Sequence, residues 1–150
     1  MSILKEKFQA GASALRSTFG LKNVHETPRI LKVTLNARVG KGKDAKFADV
    51  IVDTLRRITG QQPVKTLARK SIAGFKIREG MVLGAKVTLR GNHMWHFLDK
   101  LTNVAFARIR DFRGIPKSCV DEPGNLTFGI KEHIVFPEIV LEKSRVSFGL

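Results

Sequence analysis

The residues in this chain best equipped for chemistry are cations. From Thr54 to Arg110 there are twelve lysines or arginines and two acids, Glu79 and Asp99. The densest part is 68–91, where Arg69, Lys70, Lys76, Arg78, Lys86 and Arg90 face the single acid Glu79. Gly74, Gly80 and Gly84 supply bends that other residues resist. Phe75 and Met81 add apolar side chains with no evident core to enter. Cations neutralise phosphates, and an exposed aromatic stacks on or wedges between bases. The chemistry this pattern offers is recognition of a shaped polyanion, RNA first.

Other chemistry finds little support. His93 and His96 are three apart and could share a helical face as metal ligands, but no cysteine or suitably spaced acid joins them. Cys119 has no adjacent basic pair to lower its pKa and reads as a small packed thiol. Gly40-Lys41-Gly42-Lys43 is a flexible turn without the P-loop pattern. No nucleophile elbow, zinc-protease motif or carboxylate pair occurs. The expectation is a binding protein, not an enzyme, with no cofactor, no metal and no small-molecule substrate.

The totals agree. Twenty-seven Lys and Arg against thirteen Asp and Glu give a net charge of +14 and a pI near 10.5. That balance favours polyanions, with nucleic acid set against an anionic membrane surface as the alternative. No apolar run approaches the ~20 residues of a membrane span, and no signal peptide is evident. A single cysteine fits a reducing cytosol. The 150 residues read as one domain, long enough to bury roughly 70% of the unfolded surface.

The elements that must position these cations follow from periodicity. A helix is expected over 2–19, with Ser2 as N-cap and Gly20 as stop. Residues 29–39 alternate, with Leu31, Val33 and Leu35 on one side and Lys32, Thr34 and Asn36 on the other. A second helix spans 44–59, burying Phe47, Val50, Ile51, Thr54, Leu55 and Ile58. After Gly60, Gln61 and Pro63, a strand is expected over 64–70 and a loop over 71–84. The third strand, 85–90, turns Ala85, Val87 and Leu89 inward and Lys86, Thr88 and Arg90 outward. A helix capped by Asn92 runs to about Ile109, buries Met94, Phe97, Leu98, Leu101, Val104 and Ala105, and ends in the basic turn 108–114. A fourth strand is expected over 126–135, where Phe128, Ile130 and Ile134 alternate, and the tail after Ile139 has no pattern of its own. The order implies an α+β fold: a mostly antiparallel sheet with helices packed on one face and an open basic face. Lys32, Asn36, Lys86, Thr88 and Arg90 would line that open face. Asn36, Thr88 and Gln61 would add hydrogen bonds to riboses or bases.

Several blocks are specific enough to carry a resemblance: 28–36 (PRILKVTLN), 68–78 (ARKSIAGFKIR), 86–91 (KVTLRG), Met94-Trp95, 108–114 (RIRDFRG) and 134–139 (IVFPEI). In these the chain resembles the bacterial-type ribosomal protein "L five" of the large subunit. The resemblance implies a structural constituent of the cytoplasmic ribosome that anchors 5S ribosomal RNA in the central protuberance beside the 23S-type RNA. It assigns Lys32, Asn36, Gln61, Lys86, Thr88 and Arg90 to 5S contact. It assigns the loop 70–81 (Lys70, Ser71, Gly74, Phe75, Lys76, Arg78 and Met81) to the P-site transfer RNA. A bridge to a protein of the small-subunit head would fall on Phe136, Glu138, Glu142 and Arg145.

Two departures from the family pattern stand out. Members usually continue for some thirty residues, adding a last strand; either this sequence is a piece of a longer chain, or the family's C-terminal edge strand is absent or truncated here. Ala37-Arg38 also replaces the smaller or uncharged residues common after the asparagine. The rival functions are a free-standing basic RNA chaperone and an RNA-acting enzyme; the enzyme would need an acid, histidine or metal cluster on the open face.

Overall fold

The computed structural model describes residues 3–39, 45–139 and 148–150. Among these, three strands form one antiparallel sheet in the order β1 (Val33–Arg38), β3 (Val82–Leu89), β2 (Val64–Leu67). Helix α1 covers Ile3–Phe19 and α2 covers Ala45–Thr59. Helix α3 (Gly91–Lys100) continues through a π-helical turn, Leu101–Ala105, into the short α4 (Phe106–Arg108). The α+β class and the helices on one side of an antiparallel sheet are as the periodicity implied.

Alternation makes the core. β1 buries Leu35 and Ala37, and β3 buries Ala85, Val87 and Leu89. Against them α2 sets Phe47, Ile51, Leu55 and Ile58, and α3 with its π-turn sets Met94, Phe97, Leu101 and Ala105. Burying one such large side chain contributes about 1.5–3 kcal/mol, so this inner face dominates stability. Helix α1 lies outside that core and has no fully buried residue. It is held on α3 by Phe8 against Trp95, ring centroids 5.5 Å apart, and by the Leu4 N–H donating to Asp99 Oδ1 at 3.0 Å. Asp99 thus supplies the carboxylate that a helix N-terminus favours. Gly20, at φ 61°, ends α1, and the Leu21 N–H reaches back to the Arg16 carbonyl at 3.1 Å.

Several expectations are corrected. Leu31 precedes β1 and is 67% exposed, because no strand lies opposite it. Val50 lies at the edge of the apolar stripe of α2, turned to solvent. Leu98 and Val104 flank the stripe of the third helix and are half-buried. β3 starts at Val82, taking in the end of the expected loop, and stops at Leu89; Arg90 is the N-cap residue of α3, and Asn92 lies inside the first turn. β2 ends at Leu67 with a register shift between Thr66 and Leu67. That bulge lets Leu67 stay exposed while Ala68 turns inward.

The expected fourth strand does not form among the described residues. Leu126 makes an isolated bridge with Val120, and His133–Val135 is a single 3-10 turn. Alternation at Phe128 and Ile130 is satisfied another way. Ile130 and Leu150 exchange both backbone hydrogen bonds, at 2.8 and 2.9 Å, and the His133 N–H donates to the Phe148 carbonyl at 3.1 Å. Phe148 is thereby brought into the core, edge-on to Phe47, although no pattern was expected in the tail.

His133 is fully buried there, its ring stacked on Phe148 with centroids 4.1 Å apart. Burial lowers its pKa, opposed by the hydrogen bond with the Phe148 backbone and by the charge of Glu132. The folded state therefore keeps the ring neutral where the unfolded chain accepts a proton. Stability from this site is complete above the unfolded value near 6.5 and is lost as pH falls towards the folded value. Urea midpoints measured from pH 7.5 down to about pH 5 should fall, and His133→Phe should flatten that fall. An equal slope in the variant would remove His133 as the cause.

Gly84 gives a second prediction. A Cβ there would collide with the Ala37 carbonyl oxygen and come within 3.1 Å of Arg38 Cα, across the β1–β3 pairing. Gly84→Ala should lower stability by about 1–3 kcal/mol in chemical denaturation, as overpacking does. Gly74→Ala, with open space around it, serves as the near-neutral comparison.

Candidate nucleic-acid interface

Strand register decides what the open sheet face presents. β1 and β3 pair Thr34 with Thr88, Asn36 with Lys86 and Arg38 with Gly84. β2 adds Val64 beside Lys86 and Thr66 beside Gly84. One rung thus reads Asn36, Lys86, Val64, and the next reads Arg38, Gly84, Thr66. Asn36, Arg38 and Lys86 are exposed, Thr88 is half-buried, and no acid stands on these rungs. Lys32 and Arg90 directly adjoin the last paired positions, Val33 and Leu89, at the margin of this face, and both are exposed.

Gln61 joins the face through a backbone contact. Its Nε2 donates to the Thr88 carbonyl at 3.2 Å, a carbonyl that β2, starting at Val64, does not reach. The bond leaves Gln61 Oε1 as an acceptor beside Thr88. All six residues expected at the 5S contact are therefore brought to one face or its margin. Sequence reasoning left Arg38 and Val64 out of the site. The alternation of β1 could have found Arg38; Val64, 62% exposed, needed the register.

Charges are distributed unequally between the two faces. Lys65 points to the helix side and pairs with Asp49 on α2. Arg57 pairs with Asp53 at 2.8 Å, and Lys100 pairs with Glu138. Among the described residues no ion pair involves Lys32, Arg38, Lys86 or Arg90.

The segment 70–81, expected as an irregular loop, is an ordered hairpin. At its base the Ala68 N–H donates to the Met81 carbonyl at 2.8 Å, and the Gly80 N–H to the Ala68 carbonyl at 3.0 Å. Midway, Ile72 and Ile77 exchange backbone hydrogen bonds at 2.9 and 3.2 Å, and the Ser71 hydroxyl accepts from the Glu79 N–H at 2.9 Å. The tip is a 3-10 turn, Ala73–Phe75, closed by Lys76 at φ 54°. Lys70, Ser71, Gly74, Phe75, Lys76, Arg78 and Met81 are all exposed along it. A shallow hollow on the hairpin is lined by Ser71, Ala73, Lys76, Ile77 and Arg78.

Two of the four expected bridge residues, Phe136 and Glu138, lie among the described residues. Phe136 is 0% exposed and stacks on Phe97 with centroids 5.9 Å apart, so it is a core residue and corrects that expectation. Glu138 is half-buried and paired with Lys100, whose ammonium also donates to the Ile58 carbonyl at 2.9 Å. Glu142 and Arg145 lie outside the described residues. His93 and His96 border a cleft with Arg57, Thr59, Gly60 and Lys100, and no cluster of three metal-ligating side chains occurs among the described residues.

An α+β protein with an exposed cationic sheet face and a cationic hairpin presents two surfaces of the charge that polyanions favour. The comparisons with known proteins sharpen this. The sequence model described as "Ribosomal protein L5" matches residues 23–78, and the model for the C-terminus of the same ribosomal protein family matches residues 82–150. The "Large ribosomal subunit protein uL5" of Heliobacterium modesticaldum (strain ATCC 51547 / Ice1) is 50% identical over 145 residues, covering 95% of this chain and 81% of the relative. The chain belongs to the ribosomal protein uL5 family and is a structural constituent of the large ribosomal subunit, a non-enzymatic class. No helix among the described residues is long and apolar enough to cross a membrane.

The hairpin tip gives its own prediction. Lys76 holds a left-handed conformation that costs a lysine about 1–2 kcal/mol relative to glycine. Lys76→Gly should tighten the hairpin, read as slower hydrogen exchange of the Ile72 and Ile77 amides, while removing one tip charge. Faster exchange in the variant would mean the lysine side chain itself holds the turn.

Proposed function

We propose that the open sheet face binds 5S ribosomal RNA in the central protuberance, and that the hairpin 70–81 touches the P-site transfer RNA. The observation that carries the first part is the pairing of Asn36 with Lys86 and of Thr34 with Thr88 on a face without acids, backed by a buried core. Lys32, Lys86 and Arg90 neutralise phosphates. Asn36, Thr88 and Gln61 exchange hydrogen bonds with riboses and exposed base edges. The face is two to three strands wide and reads RNA by shape, because the deep A-form major groove is closed to it.

The hairpin has a different character. It projects from the β2–β3 connection, carries Lys70, Lys76 and Arg78, and shares no residue with the sheet face. That separation suits one partner held permanently and another that comes and goes. A contact with a protein of the small-subunit head belongs to the same reading, with half-buried Glu138 as its described member. Association with the 23S-type RNA completes the anchoring role.

The test is binding of the purified protein to 5S transcript and to an unrelated RNA of equal length over a salt series. Preference for the 5S transcript should persist as salt rises, whereas equal affinities throughout fit the free-standing chaperone and sink the proposal. Asn36→Ala with Thr88→Ala should weaken 5S binding about tenfold, as loss of two hydrogen bonds implies. Lys76→Ala with Arg78→Ala should spare 5S binding and weaken transfer-RNA placement in reconstituted subunits. Loss of 5S binding in the hairpin variant would reverse the assignment of roles.

A further inference from the structure

The basic turn after α4 is not used by either surface described above. Arg108, Arg110 and Arg113 are exposed within six residues, with Asp111 as the only acid among them. None of these arginines has an ion-pair partner among the described residues. The chain leaves the helix at Ile109 in an extended conformation, and Asp111 then takes a left-handed φ of 55°. Aspartate is one of the few non-glycine residues that enter this region readily.

The consequence of that reversal is the position of Phe112. Its ring folds back nearly parallel onto Phe106, with centroids 4.8 Å apart and 13° between planes. Phe106 in turn leans on Phe128, 5.7 Å away. The outermost ring of this pile, Phe112, is 42% exposed, with arginines on both sides of it in sequence. A parallel stack covers one face of Phe112 and leaves the other as a flat apolar platform. Such a platform takes a planar ring, and the flanking guanidinium groups donate bidentately to phosphate oxygens.

We propose that this turn is a second RNA site, which takes a single-stranded stretch by stacking one unpaired base on Phe112 and holding the neighbouring phosphates with Arg110 and Arg113. An unpaired base is required because a base inside a helix has no free face to offer. The site is separate from the sheet face. Arg90 starts the helix and Arg108 ends it, so the 18 residues between Gly91 and Arg108 set the two apart by roughly 27 Å at 1.5 Å per residue. The inference stands whether or not the sheet face takes 5S RNA.

The experiment uses the full chain with a short single-stranded oligoadenylate as probe, alongside the 5S transcript, at fixed salt and then over a salt series. Phe112→Leu keeps the apolar bulk and removes the ring; it should weaken oligoadenylate binding about fivefold or more, the scale of one stacked base. Arg110→Ala with Arg113→Ala should also weaken it and lower the salt slope by about 1.4, two phosphate contacts on a single strand. Both variants should hold 5S affinity within about twofold if each site accounts for its own RNA. Unchanged oligoadenylate binding in both variants, or no binding by the wild-type chain, overturns the proposal. Parallel loss of 5S and oligoadenylate binding overturns the claim of a separate site. Both arginines are exposed, so their variant decides the matter even if Phe112→Leu loosens the turn.

Discussion

The pairing of β1 with β3 is the constraint on which the rest of the structure depends. β3 is the central strand, bonded to β1 on one side and β2 on the other, and the period of two divides every residue between two faces. Leu35, Ala37, Ala85, Val87 and Leu89 go to the helices; Thr34, Asn36, Lys86 and Thr88 go to the open side. A slip of one residue would exchange the two sets, burying a lysine and exposing the core. The register is therefore enforced by the hydrophobic effect on one face and delivers a polar surface on the other. Gly84 is where this pairing is tightest, since only a residue without a Cβ fits beside the Ala37 carbonyl.

The same division governs electrostatics. The three ion pairs found among the described residues, Arg57–Asp53, Lys65–Asp49 and Lys100–Glu138, all lie on the helix side of the molecule. Among the described residues the carboxylate partners in these pairs stand on the helix side, and Lys32, Arg38, Lys86 and Arg90 on the sheet side have no ion pair. An excess of positive charge destabilises the isolated protein by self-repulsion and is relieved when a polyanion binds. A protein of the large ribosomal subunit works in that bound condition, so the uncompensated face is compatible with a stable assembled state.

Two kinds of scaffold serve the two basic surfaces. The sheet face is backed by a packed core, which fixes the spacing of Asn36, Lys86 and Thr88. No hairpin residue from Arg69 to Met81 is buried; hydrogen bonds between Ala68 and Met81, between Ile72 and Ile77 and from the Glu79 N–H to the Ser71 hydroxyl contribute to its order. Segments held by few buried contacts open at lower free energy than the core they are attached to. Rigid and yielding basic surfaces thus arise on either side of one strand boundary, separated by where burial stops.

Local pattern was enough to determine the charge, the class of partner, the α2 stripe apart from Val50, and the inward and outward sets of β1 from Val33 and of β3, because each depends on a residue and its near neighbours. The tertiary structure decided everything that depends on a partner distant in the chain. Leu31 continues the alternation of β1 yet lies bare, because β3 has already turned into α3 opposite it. Phe128 and Ile130 alternate like a strand, but Ile130 finds its backbone partner in Leu150 and no long ladder forms. Phe136, expected on a bridge surface, is drawn into the core by Phe97, and a bulge no sequence signal marks turns Ala68 inward. Periodicity states which side chains can share a face; only packing states whether another element is there to cover it.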